Sequence, residues 1–152
     1  MRRVLKYWLP VFLWMIFIFI GSSDLMSAEH TSRFLVPFLR WLAPDISDAA
    51  VATIQLFIRK CAHLAEYAIL AAFLLRAFRK SQERLARATI SAFILAAIYA
   101  AFDEFHQAFV PSRSASPYDV AIDTAGVLVG LAIYWRTMRR TSIHNPRSPN
   151  LS

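Results

Sequence analysis

The chain has a single cysteine, Cys61, among its 152 residues. No intramolecular disulfide can form, so the fold does not depend on an oxidising compartment. Charge is scarce too: 18% of residues are charged and 57% are hydrophobic, with twelve Phe and four Trp. That leaves too few polar residues to cover a soluble globule of this size, and the natural solvent of the chain is lipid. An interleaved basic and aromatic face is also missing. The basic residues behind the net charge of +7 flank apolar runs, which argues against nucleic acid as a partner. The length suits one domain and is short for two, and there is no internal repeat.

What the chain does have is four long apolar runs, and the expected fold is all-α, polytopic, with four transmembrane helices. The first run, residues 7–21, follows Arg2, Arg3 and Lys6 and ends at the turn-like Ser22, Ser23 and Asp24. It is rich in Trp and Phe, and no small-x-small cleavage site follows, so it reads as a retained anchor in preference to a signal peptide. The second run covers residues 61–78, the third 86–105 and the fourth about 120–135. Each comes near the roughly 20 residues that cross the hydrocarbon, the fourth with help from its flanks.

The Lys and Arg distribution orients these spans. With the N-terminus inside, the inner segments hold twelve of the seventeen basic residues and one acid, Glu83, while nine of the ten acids fall on the outer side. The expected location is a cell (inner, cytoplasmic) membrane with both termini cytoplasmic. The long outer segment, residues 22–60, contains Phe34, Leu35, Phe38, Leu39, Trp41 and Leu42, interrupted by Pro37 and Pro44. It reads as a short interfacial helical segment on the outer leaflet. Ser47 and Asp48 suit the start of a further helix running into the second span. If unbroken to Phe78, that helix would be roughly 45 Å long, so its first turns must stand outside the hydrocarbon or bend. Residues 1–140 form the single domain; the polar tail, 141–152, is expected to be disordered and cytoplasmic.

Ionisable residues inside a span are costly unless they face protein or water. On the second span Arg59, Lys60, His63, Glu66 and Tyr67 fall on one face of the outer turns. On the third, Tyr99, Asp103, His106 and Gln107 share a face with Glu104 at its edge. On the fourth, Asp119 and Asp123 lie one turn apart, and Gly126 and Gly130 continue the stripe inward. Arg59, Lys60 and Arg113 suit snorkelling at the interface. Ser116, Pro117 and Asp119 suit a helix start, and the two glycines suit close helix packing. The deeper set resists such readings. Glu66 lies roughly 9 Å below Lys60, and Asp123 roughly 6 Å below Asp119, too deep for short side chains to snorkel.

The blocks RKCAHLAEYAIL (59–70) and DEFHQAFVPSRSASPYDVAIDTAGVLVG (103–130) resemble the signature blocks of the VanZ-like membrane protein family, named for a protein associated with teicoplanin resistance. The resemblance runs from Arg59 to about Tyr134. It implies that Lys60, His63, Glu66, Asp103, Glu104, His106, Gln107, Pro111, Arg113, Asp119, Asp123 and Gly126 stand at motif positions; Ser112 departs from a common Gly. Family membership implies a link to glycopeptide resistance and little mechanism.

Three functions compete. In the first, the site acts on or binds an envelope lipid or a lipid-linked, phosphate-bearing substrate. Lys60 and Arg113 hold the anionic group, with Gln107 and Asp119 beside them. Glu66, Asp103 or Glu104 acts as base and His63 or His106 as acid, and Asp123 belongs to the same catalytic set. Zn²⁺ or Mn²⁺ on His63 with Glu66, or on Glu104 with His106, is a minor variant. The second is a non-enzymatic protein that binds glycopeptide or cell-wall precursor, or modulates the envelope, through the outer loop. The third is a small transporter or proton relay, which the scarcity of ionisable residues in the inner halves of the spans disfavours. No cofactor and no oligomeric state follow from the residues.

Overall fold

The computed structural model of the chain describes residues 2–23, 28–81, 84–111 and 116–144, with side chains described over 5–23, 32–81, 84–111 and 116–139. Five helices follow one another: α1 (Arg2–Gly21), α2 (Ala28–Leu42), α3 (Asp48–Lys80), α4 (Leu85–Gln107) and α5 (Pro117–His144). Among the described residues there is no strand. Three of the helices, α3, α4 and α5, are long and apolar enough to cross a membrane, and α1 supplies a shorter apolar stretch over Leu5–Gly21. The fold is therefore that of a polytopic all-α membrane protein.

Local chemistry accounts for the helix ends. Ser47 caps α3 by accepting the Ala50 N–H at 3.2 Å, and Asp48 stands in the first turn, where the helix dipole favours an acid. Arg79 and Lys80 close the other end of the helix, where cations are favoured. Pro117 begins α5, where its missing N–H costs nothing, and the Ser116 hydroxyl accepts the Tyr118 N–H at 3.3 Å. No breaker interrupts residues 48–80, and α3 runs unbroken for 33 residues. That is about 50 Å of helix against a hydrocarbon core of about 30 Å, so a straight α3 is longer than the core it would cross.

Two elements differ from the sequence expectation. Pro37 lies inside α2 and does not end it; the intrahelical bond it removes is the one to the carbonyl of Arg33, an exposed residue four positions back, where solvent can take its place. The last helix continues through His144, four residues into the stretch expected to be disordered. The remainder of that tail, 145–152, lies outside the described residues.

Packing is tightest between α3 and α5, which run parallel. A Cβ on Gly126 would overlap the Leu64 carbonyl, and one on Gly130 would overlap the Ala68 carbonyl. Glycine at both positions lets the two backbones touch, the small-residue contact expected inside a membrane. An alanine stripe, Ala88, Ala92, Ala96 and Ala100, serves the same end on α4 and is fully buried. It joins Leu70, Leu74, Leu75, Val127 and Leu131 in one apolar core. α1 lies against α3: the Trp14 indole donates to the Glu66 carbonyl at 2.9 Å, and Trp8 meets Phe78 edge-on at 5.1 Å. The outward surface carries large apolar side chains such as Phe12, Ile16, Ile90, Ile94, Ile98 and Ile133, as a lipid-facing surface requires.

α2 stands apart from the bundle and is tied to the first turns of α3. Arg40 pairs with Asp48 at 2.9 Å, and Gln55 donates to Ser32 at 2.8 Å. Phe34, Phe38, Trp41 and Leu42 remain exposed on it.

Candidate functional site

The buried polar side chains of the described residues are Ser22, Asp103, Glu104, Gln107 and Asp123. All five sit at one end of the bundle, where α1 and α4 finish, α5 starts and α3 enters the core. The chain direction explains the convergence. Because α3 and α5 run parallel, residues about sixty apart in sequence come level. Lys60 forms an ion pair with Asp119, and one turn deeper His63 Nδ1 stands 3.3 Å from Asp123 Oδ1. Below these two polar rungs the same register brings Gly126 onto Leu64 and Gly130 onto Ala68.

α4 runs the other way and presents its last turns to the same place. Asp103 Oδ2 accepts from the Ser22 hydroxyl at 2.7 Å and from the Gln107 amide at 3.0 Å. Gln107 donates also to Ser22 at 3.3 Å and accepts from Arg59 at 3.2 Å. A continuous chain therefore leads from the Arg59 guanidinium through Gln107 to Asp103, with Ser22 of α1 as its anchor. Glu104 Oε1 accepts the Ser116 N–H at the start of α5, which joins the two helices across their connection.

A groove with ≈ 180 Å³ of empty space, counting its open mouth, lies between α3 and α5. Arg59, Lys60 and Asp119 form its rim, and His63, Ile122 and Asp123 line it further in. Asp123 is fully buried, so the groove leads from two partly exposed cations down to a desolvated carboxylate.

Several buried polar atoms lack a well-directed hydrogen bond among the described residues: Asp103 Oδ1, Glu104 Oε2, both oxygens of Asp123, the Tyr67 hydroxyl and Nδ1 of His63 and of His106; of these, the Tyr67 hydroxyl still interacts with Asp103 and His63 Nδ1 with Asp123. His63 Nδ1 and Asp123 Oδ1 are within ion-pair reach. Tyr67 is fully buried within electrostatic reach of Asp103 and Asp123, and Asp123 in turn is within reach of Asp103 and Asp119. Glu104 feels Asp119, Asp123 and His63.

Not every sequence candidate joins this groove. His106 turns toward α1, its ring 4.4 Å from that of Phe19. Glu66 is half-buried near the end of α1, where a Cβ on Gly21 would lie 3.9 Å from its carboxylate, and it acts on His63 through space. Arg113 lies outside the described residues. Among the described residues no three His, Cys, Asp or Glu side chains gather in a way that could hold a metal ion. Two contributors are absent from the candidate set drawn from sequence. Ser22 read as a turn residue, and its only signal was a small hydroxyl at the end of a span, level with Asp103. Arg59 read as a snorkelling cation, although it shares the face of Lys60 and His63.

No curated protein and no solved structure matches this chain. The model of the VanZ/LLP1 family matches residues 7–139, from the first apolar run to the last turns of α5. That span contains every residue of the polar cluster, and the chain belongs to the VanZ/LLP1 family.

Proposed function

We propose that this protein lies in the cell membrane with both termini in the cytoplasm, and that its polar cluster opens at the outer leaflet. There it binds the phosphate-bearing head group of an envelope lipid or lipid-linked precursor and moves a proton on it. The observation that carries this reading is the approach of His63 to Asp123 in a groove rimmed by Arg59 and Lys60. The rim cations suit an anionic group, and the imidazole suits proton transfer close to neutral pH. A carboxylate within ion-pair reach of Nδ1 favours the proton on that nitrogen, which leaves Nε2 as the base.

This assignment shifts the roles read from sequence, where a carboxylate was the base. Asp103 and Glu104 each have one oxygen engaged in holding helices together, which suits them to positioning. Arg113 remains a second anion-holding candidate on sequence grounds alone.

The test is lipid and cell-wall precursor profiling of a deletion strain complemented with wild type, His63→Gln or Asp123→Asn. The expected result is one phosphate-bearing lipid species that accumulates in the deletion and in both variants and returns to normal with wild type. A profile unchanged by the deletion would remove the reading. Growth with teicoplanin, measured in the same strains, tests the link that the family name suggests.

A second reading has its own observation. The exposed Phe34, Phe38, Trp41 and Leu42 of α2 suit a non-enzymatic protein that modulates the envelope or binds glycopeptide at the membrane surface. It expects Phe38→Ala and Trp41→Ala to abolish the phenotype while Glu66→Gln and Asp103→Asn leave it intact. A proton relay or transporter has less support, because among the described residues the buried polar and charged side chains all belong to the cluster at one end of the bundle.

A further inference from the structure

We infer that Arg59 is the group that holds the anion in this groove, and that the groove takes a single phosphodiester in preference to a diphosphate. The inference rests on the head-group reading above and names the residue that does the holding and the kind of phosphate it suits.

The basic side chains that line the groove are not equivalent. Lys60 is in an ion pair with Asp119, and His63 stands 3.3 Å from Asp123. Each of these two is matched by a carboxylate of the parallel helix. Arg59, on the rim beside them, is held in another way. Its hydrogen bond to a described residue goes to the side-chain oxygen of Gln107, at 3.2 Å. An amide is neutral, so it fixes the guanidinium without cancelling the charge. The contact uses Nη2 alone, and a guanidinium has five donors in a planar fork that fits two oxygens of one phosphate.

The amide itself is set from behind. Gln107 is fully buried, and its nitrogen donates to Asp103 Oδ2 at 3.0 Å and to the Ser22 hydroxyl at 3.3 Å. With the nitrogen committed to those acceptors, the oxygen is what remains for Arg59. Ser22 donates in turn to Asp103 at 2.7 Å, so every donor in the chain leads toward that carboxylate. A glutamate at position 107 would pair with Arg59 directly and use up its charge. Glutamine leaves the charge available at the groove, which makes Gln107 a positioning residue and Arg59 the binding one.

The order of charges along the groove limits how many phosphates it suits. Among the described groove-lining residues, Arg59 is the cation without a carboxylate in contact, and further in lies the fully buried Asp123. A phosphodiester brings one negative charge and two free oxygens, which match one guanidinium. A diphosphate brings further negative charge that meets Asp119 at the rim or Asp123 within, and like charges repel strongly where water is excluded.

The test is a lipid titration of full-length protein in detergent, read by native mass spectrometry, with three lipids of matched acyl chains. Phosphatidylglycerol carries one phosphodiester, diacylglycerol diphosphate carries two linked phosphates, and diacylglycerol carries none. Wild type should retain phosphatidylglycerol better than either of the others by on the order of tenfold, the size of one hydrogen bond to a charged group. Arg59→Gln should erase that preference. Lys60→Gln combined with Asp119→Asn, which removes the neighbouring ion pair as a unit, should cost less than Arg59→Gln. Arg33→Gln, at an exposed cation of α2, is the charge-matched control and should cost nothing. Gln107→Met should lower the preference in the wild-type background and change nothing further in Arg59→Gln, a coupling that lost packing alone does not produce. Diphosphate lipid retained as well as phosphatidylglycerol would overturn the single-phosphate limit. A preference that survives Arg59→Gln and is lost in the Lys60 and Asp119 double variant would overturn the role of Arg59 and leave the head-group reading in place. Equal retention of all three lipids would overturn both. The three-lipid comparison uses wild-type protein, so the inference is tested even where a variant does not fold.

Discussion

His63 Nδ1 and Asp123 Oδ1 stand 3.3 Å apart across two parallel helices, one turn below the Lys60 and Asp119 pair. Asp123 is fully buried, and His63 is the described side chain closest to neutralising it. Removing one member of such a pair strands the other in a low dielectric, at a cost of about 3–5 kcal/mol. A double-mutant cycle of His63→Ala and Asp123→Ala, followed by thermal unfolding in detergent, should therefore show the double variant more stable than the two single losses predict. The coupling expected is on the order of 1–3 kcal/mol. Additive losses would mean that the two side chains do not act as a pair.

The glycines beneath this pair set its geometry. A methyl group on Gly126 or Gly130 meets a backbone carbonyl of α3, at Leu64 or Ala68, and a backbone in mid-helix has nowhere to rotate. Gly126→Ala and Gly130→Ala should each destabilise the bundle by about 1–3 kcal/mol or more, read as a lower unfolding temperature. Gly126→Ala should also weaken lipid retention, since it separates the helices one turn from Asp123. Ala125→Leu, at an exposed position on the same helix, is the control and should change neither.

Ser22 ties the end of α1 to the site. Its hydroxyl donates to Asp103 at 2.7 Å and accepts from Gln107 at 3.3 Å, and the residue is only 2% exposed. Ser22→Ala removes one of the two donors on Asp103 Oδ2 and leaves a buried acceptor short, a loss of about 1–3 kcal/mol. Protease protection of α1 in detergent should fall in this variant. Ser22→Thr, which keeps the hydroxyl, should retain more of the protection than Ala does.

What the sequence discloses here follows from how local the physics is. Hydropathy and the placement of Lys and Arg act residue by residue, so the apolar spans and the end of the bundle that gathers acids are readable without tertiary knowledge. The Gly126 and Gly130 pair is readable for a similar reason: small residues four apart mark one helix face whatever packs against it. Pairing is not local. His63 has more than one carboxylate within electrostatic reach, Glu66 and Glu104 as well as Asp123, and only the register of α3 against α5 brings Asp123 to 3.3 Å. Ser22 gains its role solely because α1 ends level with the last turns of α4. Pro37 read as a helix breaker because a proline removes one intrahelical bond, but the carbonyl that loses it, Arg33, lies where solvent can replace it.

Orientation is the assumption on which an outer-leaflet site depends, and the exposed caps of α3 offer a direct measurement. Ser47 precedes the end of α3 that carries the polar cluster, Ser81 follows the opposite end, and both are exposed. In a Cys61→Ala background, Ser47→Cys and Ser81→Cys place one thiol at each end of a helix long enough to span the membrane. A membrane-impermeant maleimide added to intact cells should label Ser47→Cys and spare Ser81→Cys until the membrane is permeabilised. The physical ground is the distribution of basic residues: the end near Ser81 carries Arg76, Arg79, Lys80, Arg84 and Arg87, and cationic segments of this kind stay cytoplasmic. The reverse labelling pattern would put the groove on the cytoplasmic side. An envelope lipid would then have to be met at the inner leaflet, where precursors are still being assembled, and the substrate search would move there.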